Sequence, residues 1–205
     1  MKSDNPSFTT PAGIAQYPWL VTPDTKFDAD GVFKVNLELN AADAQEMINL
    51  LDEQYERSMA KAKKDNPSKK IKAGPSPYEV DEDAGKVTFK FKTKAKVKLR
   101  SGDTFDQKIA LFDAKGKPLS DPPNVGGGSK IKVSFQVAPY YTATVGAGLS
   151  LRMKAVQILK LVEFTGGSNA SSYGFKQEDG YEAEDNNFKD ESQDNYEEEV
   201  AEEDF

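Results

Sequence analysis

The chemistry in this chain is concentrated in its lysines. From Lys86 to Arg100 the sequence reads Lys-Val-Thr-Phe-Lys-Phe-Lys-Thr-Lys-Ala-Lys-Val-Lys-Leu-Arg. Side chains of an extended strand alternate between two faces. One face therefore collects Lys90, Lys92, Lys94, Lys96, Lys98 and Arg100, and the other Val87, Phe89, Phe91, Thr93, Ala95, Val97 and Leu99. A slip of one residue would drive the cations into the core, so the register is strongly specified. Two further stretches repeat the pattern. Lys130 and Lys132 alternate with Ile131 and Val133, and Arg152 and Lys154 alternate with Leu151 and Met153. Side by side, such faces would make one cationic track. A track of that kind neutralises phosphates, and aromatic rings beside it stack bases of any sequence. Tyr140 and Tyr141, which follow a basic strand and Pro139, are the first candidates for those rings, with Tyr17 and Trp19 second. Phe89 and Phe91 share the apolar face and belong to the core. Lysines also guard sheet edges against aggregation, so the basic faces alone do not define the function.

Composition narrows the remaining chemistry. The chain has 205 residues with 27 basic and 34 acidic side chains, no Cys and no His. Disulfides, thiolate nucleophiles, Cys/His zinc sites and histidine bases are thereby excluded. The charge is unevenly placed. Residues 177–205 hold fourteen acids against the single Lys189, a net −13, whereas residues 1–176 carry +6. A basic body with its own polyanion is the physical reading. The acidic runs Asp81-Glu-Asp83 and Glu197 to Asp204 have no partners that would set a metal geometry, and no cofactor or metal is expected. A carboxylate-metal nuclease would need clustered acids on strand ends; here they fall in turns or in the tail. Gly126-Gly-Gly-Ser-Lys130 lacks the spacing of a phosphate loop and precedes a strand, so a hairpin loop is expected.

The elements that must position these residues follow from periodicity. Ile14 to Val21, broken by Pro18, reads as an edge strand or docked loop. Phe33, Val35, Leu37 and Leu39 define an alternating strand. A helix capped by Asn40 carries Ala44, Met47, Ile48, Leu51, Tyr55 and Met59 on one stripe and stops at Asp65-Asn-Pro67. Its basic end (Arg57, Lys61, Lys63, Lys64) and the following Lys69, Lys70 and Lys72 suit either the helix dipole or a nucleic-acid groove. The lysine strand, about 45–50 Å if straight, turns at Ser101-Gly-Asp103 into Thr104 to Phe112, with Phe105, Gln107, Ile109 and Leu111 on one face. Strands follow at 129–138 and 149–164, the latter with a phase slip near Ala155 that predicts a β-bulge. This pattern predicts a mainly β chain, a five-stranded OB-fold barrel with one inserted α-helix, over residues 1–166. A β-sandwich fits the same pattern. Residues 167–205 are too polar to offset their ordering entropy and are expected to form a disordered acidic tail. No apolar run approaches a membrane span, and a soluble cytoplasmic protein is expected. The tail ends Glu202, Glu203, Asp204 and Phe205, a ring and a carboxylate after a run of acids, which suits a partner with a basic-rimmed pocket.

Several stretches together resemble one family. They are Thr88-Phe-Lys-Phe-Lys92, Lys115-Gly-Lys117, Val125 to Val133, Pro139-Tyr140, Ala143-Thr-Val-Gly-Ala147, Leu161-Val-Glu163, Gly166-Gly167 and the acidic end closing on Asp204-Phe205. This is similar to the single-stranded-DNA-binding proteins of short-tailed, T-seven-like bacteriophages. The resemblance implies an OB-fold and sequence-independent binding of single-stranded DNA in replication, recombination and repair. It also implies a homodimer, a tail that contacts the phage DNA polymerase and helicase-primase, and action in the cytoplasm of the infected bacterial host. Thr142 stands where that family has a second aromatic, and Tyr141 is the substitute at hand. The alternative is a non-catalytic adaptor whose acidic tail is the active element.

Overall fold

In the computed structural model, residues 7–99 and 101–164 are described. Ten strands and one helix follow in order: β1 (Ser7–Thr9), β2 (Gly13–Asp24), β3 (Val32–Asn40), α1 (Ala41–Asp65), β4 (Tyr78–Asp81), β5 (Lys86–Lys94), β6 (Lys96–Lys98), β7 (Thr104–Asp106), β8 (Ala110–Phe112), β9 (Lys130–Thr142) and β10 (Gly146–Lys160). The fold is mainly β, of the OB type. Five strands pair around a ring. β2 pairs β3, β3 pairs β5, β5 meets β10 in parallel at Phe91 and Leu151, β10 pairs β9, and β9 returns to β2 at Ile131 and Gly13. The helix is inserted between the second and third strands of this ring.

Alternation explains the core. On β5, Val87, Phe89 and Phe91 are buried and Lys90, Lys92 and Lys94 exposed, as the period predicts. β3 contributes Val35 and Leu37, β9 Ile131, Val133 and Phe135, and β10 Leu151 and Met153. Phe91 and Phe135 meet edge to face, with centroids 5.1 Å apart. From α1, Ala44, Met47 and Leu51 join this core, and its stripe continues as Ser58 and Ala62. The helix starts at Asn40 as expected and ends at Asn66, whose backbone and side-chain N–H groups both donate to the Ala62 carbonyl.

Four expectations change. The lysine strand is not continuous. It bends at Ala95, which is buried, and Lys96 and Lys98 belong to β6, paired only with β7 in a separate small sheet. The Ala95 N–H donates to Gly31 O, and its carbonyl accepts from Gln107 N–H, so the backbone leaves the β3 ladder at this point. For the same reason Phe105 is not on the core face with Ile109 and Leu111. It lies on the projecting hairpin and is 55% exposed, as Leu99 is 51%. Ile14 to Val21 lies in β2, which joins β9 only at Gly13 and Ile14; from Gln16 onward its one ladder partner is β3, so Pro18 sits on an edge as expected, in a bulge between Gln16 and Trp19, and what changes is that the start of the strand is a member of the ring. The last strand runs Gly146–Lys160, shorter at its end, and its bulge falls between Met153 and Ala155. Arg100, the boundary expected at 166/167, and the tail with Glu202, Glu203, Asp204 and Phe205 lie outside the described residues.

Core and hairpin aromatics should therefore respond differently to truncation. Phe89→Ala is expected to cost about 3–5 kcal/mol in urea unfolding, as for a large aromatic removed from a close-packed interior. Phe105→Ala should stay within about 0.5 kcal/mol of the parent.

Candidate nucleic-acid interface

Three ladders bring the cations together. Trp19 lies opposite Lys34, and Lys34 opposite Lys92. The parallel register at Phe91 and Leu151 sets Lys92 beside Arg152, and Arg152 faces Gln136 on β9. Thr93 continues that register by donating its hydroxyl to Met153 O at 2.7 Å. One outward row thus crosses the ring: Trp19, Lys34, Lys92, Arg152, Gln136. Lys94 and Lys154 lie further along the same two strands, both exposed.

Not every cation in the row is equally available. Lys34 is paired with Asp24, Lys86 with Glu38 and Lys90 with Glu79, and Lys94 lies 3.8 Å from Asp28. The Lys34 ammonium and the Lys26 N–H hold the Asp24 carboxyl below its usual range. Among the described residues, Lys92, Arg152 and Lys154 have no carboxylate within salt-bridge distance. These three are the unneutralised centre of the face. Lys130 and Lys132 share the outer face of β9 but sit lower, opposite Lys160 and Gln157. Lys132 is four residues from Gln136, so about 13 Å from the Arg152 pairing level. Lys96 and Lys98 follow the β6 hairpin away from the ring.

The aromatics reorder. Tyr17 is 76% exposed and Trp19 42%, and the Lys34 ammonium lies 6.0 Å from the Trp19 ring centre. Tyr17 also has a left-handed backbone, φ 50°, the only such non-glycine among the described residues. An L-residue with a side chain pays for that conformation, and here it turns the ring outward at the bulge. Tyr140, by contrast, is half-buried. Its ring lies over Gly148, where a Cβ would come within 2.6–3.1 Å of it, and its hydroxyl abuts Gly74. Burial and the nearby Tyr55 raise its pKa. Tyr140 is therefore packed against Gly148 and Gly74 and is less exposed than Tyr17 or Trp19. Tyr141 is half-buried, opposite Ala147.

Lys34, a member of the row, was not among the cations singled out in the sequence. Its outward position in the Phe33-Lys34-Val35 alternation was the available signal. The glycine run is a structural turn. Gly126 N–H donates to Val162 O, Gly128 N–H to Ala15 O and Ser129 N–H to Gly126 O. Three of the amides that a phosphate loop would aim at a ligand are thus spent. No helix among the described residues is long and apolar enough to cross a membrane.

Barrel and cationic row together define an OB-type protein with a cationic outer face, and comparison with known proteins gives its family. A family profile described as "Single-stranded DNA-binding protein, Bacteriophage T7" matches residues 12–161. The chain belongs to this family. The single-stranded DNA-binding protein of Enterobacteria phage T3 is 30% identical over 197 residues, spanning 86% of this chain and 85% of the relative. That of Escherichia phage T7 is 31% identical over 183 residues, 79% of each. The crystal structure of gp2.5, a single-stranded DNA binding protein encoded by bacteriophage T7, superimposes with a TM-score of 0.71 at 30% identity, over 82% of this chain and 98% of that one. A bacteriophage Enc34 single-stranded DNA-binding protein, solved in complex with ssDNA, shares the fold at a TM-score of 0.54 and 13% identity, over 78% and 89%.

The packing of Tyr140 is directly testable. Gly148→Ala must push the ring away, so the Tyr140 phenol should lose its protection and ionise at lower pH in a tyrosinate absorbance titration. An unchanged titration would contradict the packing described.

Proposed function

We propose that this protein binds single-stranded DNA without sequence preference along the row from Trp19 through Lys34 and Lys92 to Arg152. The phosphates follow the cations, and the Tyr17 and Trp19 rings take bases by stacking, worth about 1–3 kcal/mol per base. The observation that carries this is the continuous cross-strand register: an exposed indole, two lysines and an arginine lie on one outward line. Membership of the T7 family supports the same reading. Lys94 and Lys154 widen the track, Lys130 and Lys132 extend it down β9, Lys90 flanks it, and Lys96 and Lys98 belong to the hairpin beyond it. Tyr140 and Tyr141 edge it on the helix side. The role is protective and non-catalytic, in phage DNA replication, recombination and repair.

The acidic segment from 177 onward, with its net −13, competes with DNA for the +6 body. Displaced by DNA, its end at Glu202, Glu203, Asp204 and Phe205 recruits the phage DNA polymerase and helicase-primase. The working unit is a homodimer in the cytoplasm of the infected bacterium. Charge complementarity within one chain supports the competition, and family resemblance supports the partners and the dimer.

Titration of Trp19 fluorescence with oligothymidine tests the binding face. Quenching that weakens with salt is expected, at about 0.7 in log–log slope per neutralised phosphate. Lys92→Ala should reduce that slope by about one such increment, and Trp19→Ala, followed by filter binding because Trp19 is the chain's one tryptophan, should weaken binding by about tenfold, the lower end of a stacking contribution. No quenching together with a flat salt response would overturn the reading. Removal of residues 177–205 should tighten binding, most of all at low salt, and abolish capture of the polymerase.

A further inference from the structure

Arg152 belongs to the cationic row, and a second line of cations starts from it, running along β9 and β10 rather than across the ring. Below its level the outward residues include Ser134, Lys132 and Lys130 on β9 and Lys154, Gln157 and Lys160 on β10. Lys132 pairs with Gln157 and Lys130 with Lys160. The intervening Ile131, Val133, Val156 and Ile158 are buried, which fixes these lysines on the outer face. The loop after β8 brings two more. The β8 ladder sets Phe112 beside Gln157, and the Gln157 side chain donates to Asp113 O and Ala114 O at 3.3 and 3.1 Å. Those bonds hold the 113–117 loop against the column, with Lys115 and Lys117 both exposed. The loop's own acid is occupied, since Asp113 Oδ1 accepts from the Lys115 and Lys117 N–H groups at 2.9 and 2.8 Å. Among the described residues, none of Lys115, Lys117, Lys130, Lys132, Lys154 and Lys160 has a carboxylate within salt-bridge distance.

We propose that this column is a second arm of the binding face, one that holds only the nucleic-acid backbone. A strand that crosses the row turns at Arg152 and lays its phosphates over Lys154, Lys132, Lys130 and Lys160, with Lys115 and Lys117 as an outer bank. The inference rests on the single-strand-binding reading above and divides that site in two. The row carries Tyr17 and Trp19, whereas the outward residues of β9 and β10 from the Arg152 level to Lys160 include no aromatic. Stacking therefore belongs to one arm and charge neutralisation to both. Six lysines without an acid among them repel one another, and a phosphate chain relieves a repulsion that salt only screens. Continuity favours the bound strand as that chain. A polyanion seated on the row already lies at the head of the column, and two-residue steps along a strand space the outward side chains by about 6–7 Å. Lys96 and Lys98 lie on the separate β6–β7 sheet, off these ladders. The consequence is an arm indifferent not only to base sequence but to the presence of a base.

The test starts from an oligothymidine just long enough to quench Trp19 in the full chain. It is lengthened by abasic residues, which keep the phosphates and lack the bases, or by methylphosphonate thymidines, which keep the bases and lack the charge. The abasic extension is expected to tighten binding as much as the same number of ordinary thymidines, with about 0.7 more in log–log salt slope for each phosphate it adds. The methylphosphonate extension is expected to add nothing. A combined Lys115→Ala, Lys117→Ala and Lys160→Ala variant changes exposed side chains alone. It should lower the slope for the extended oligomer by about two and leave the short oligomer's affinity and Trp19 quenching as they were. An abasic extension without effect, a methylphosphonate extension as effective as a charged one, or a triple variant with the parent's slope on the extended oligomer would each overturn the proposal. If the short oligothymidine neither binds nor quenches Trp19, the single-strand reading itself fails, which is a different outcome.

Discussion

Everything in this protein depends on the two-sidedness of β5. Its odd-numbered residues supply Phe89 and Phe91 to the interior, and its even-numbered ones the lysines to the surface. Because a strand's side chains alternate strictly, neither set can move without the other. The apolar set fixes β5 against Phe135 and Leu151, and that fixing carries Lys92 to Arg152. Hydrophobic burial, which is non-directional, is thereby converted into the placement of charge, which is not. Ionic repulsion among the cations is tempered rather than removed. Asp24, Glu38, Glu79 and Asp28 neutralise the flanks, and the centre stays unpaired among the described residues.

The alternating segments were legible in the sequence because burial on one face leaves a period-two trace. β3, β5 and β9 follow it closely, and so does α1 with its period of three to four residues. What the trace does not carry is pairing between distant strands. The parallel contact of β5 with β10 joins residues sixty positions apart, and nothing local announces it. The break at Ala95 was equally hidden. The alternation of Lys96, Val97 and Lys98 continues across it, although the backbone has changed partners. Pro18 was a true signal. A proline in a strand suggests an edge, and β2 has left β9 before it reaches Pro18 and keeps β3 alone as its partner there.

The site was legible as charge and obscure as aromatic geometry. Position after a basic strand favoured Tyr140, but the glycines at 74 and 148 form a bed that draws its ring down. Trp19 sits among apolar neighbours and reads as core, yet its strand turns it outward beside Lys34. Tyr55 of α1 and Tyr78 of β4 are far apart in the sequence, and only the stitching of residues 72–77 between Ala147 and Lys90 gathers them around one crevice.

The bulge at Tyr17 has a mechanical consequence. Between the Gln16–Asn36 and Trp19–Lys34 pairings, β2 carries one residue more than its neighbour, and Pro18 has no amide hydrogen to bond. The buried Ala15 and Leu20 pin the strand on either side. The two rings thus ride on a short arch between fixed abutments, outside the packed interior. On the proposed binding face, such an arch presents both rings to a base while the barrel ladder keeps its register.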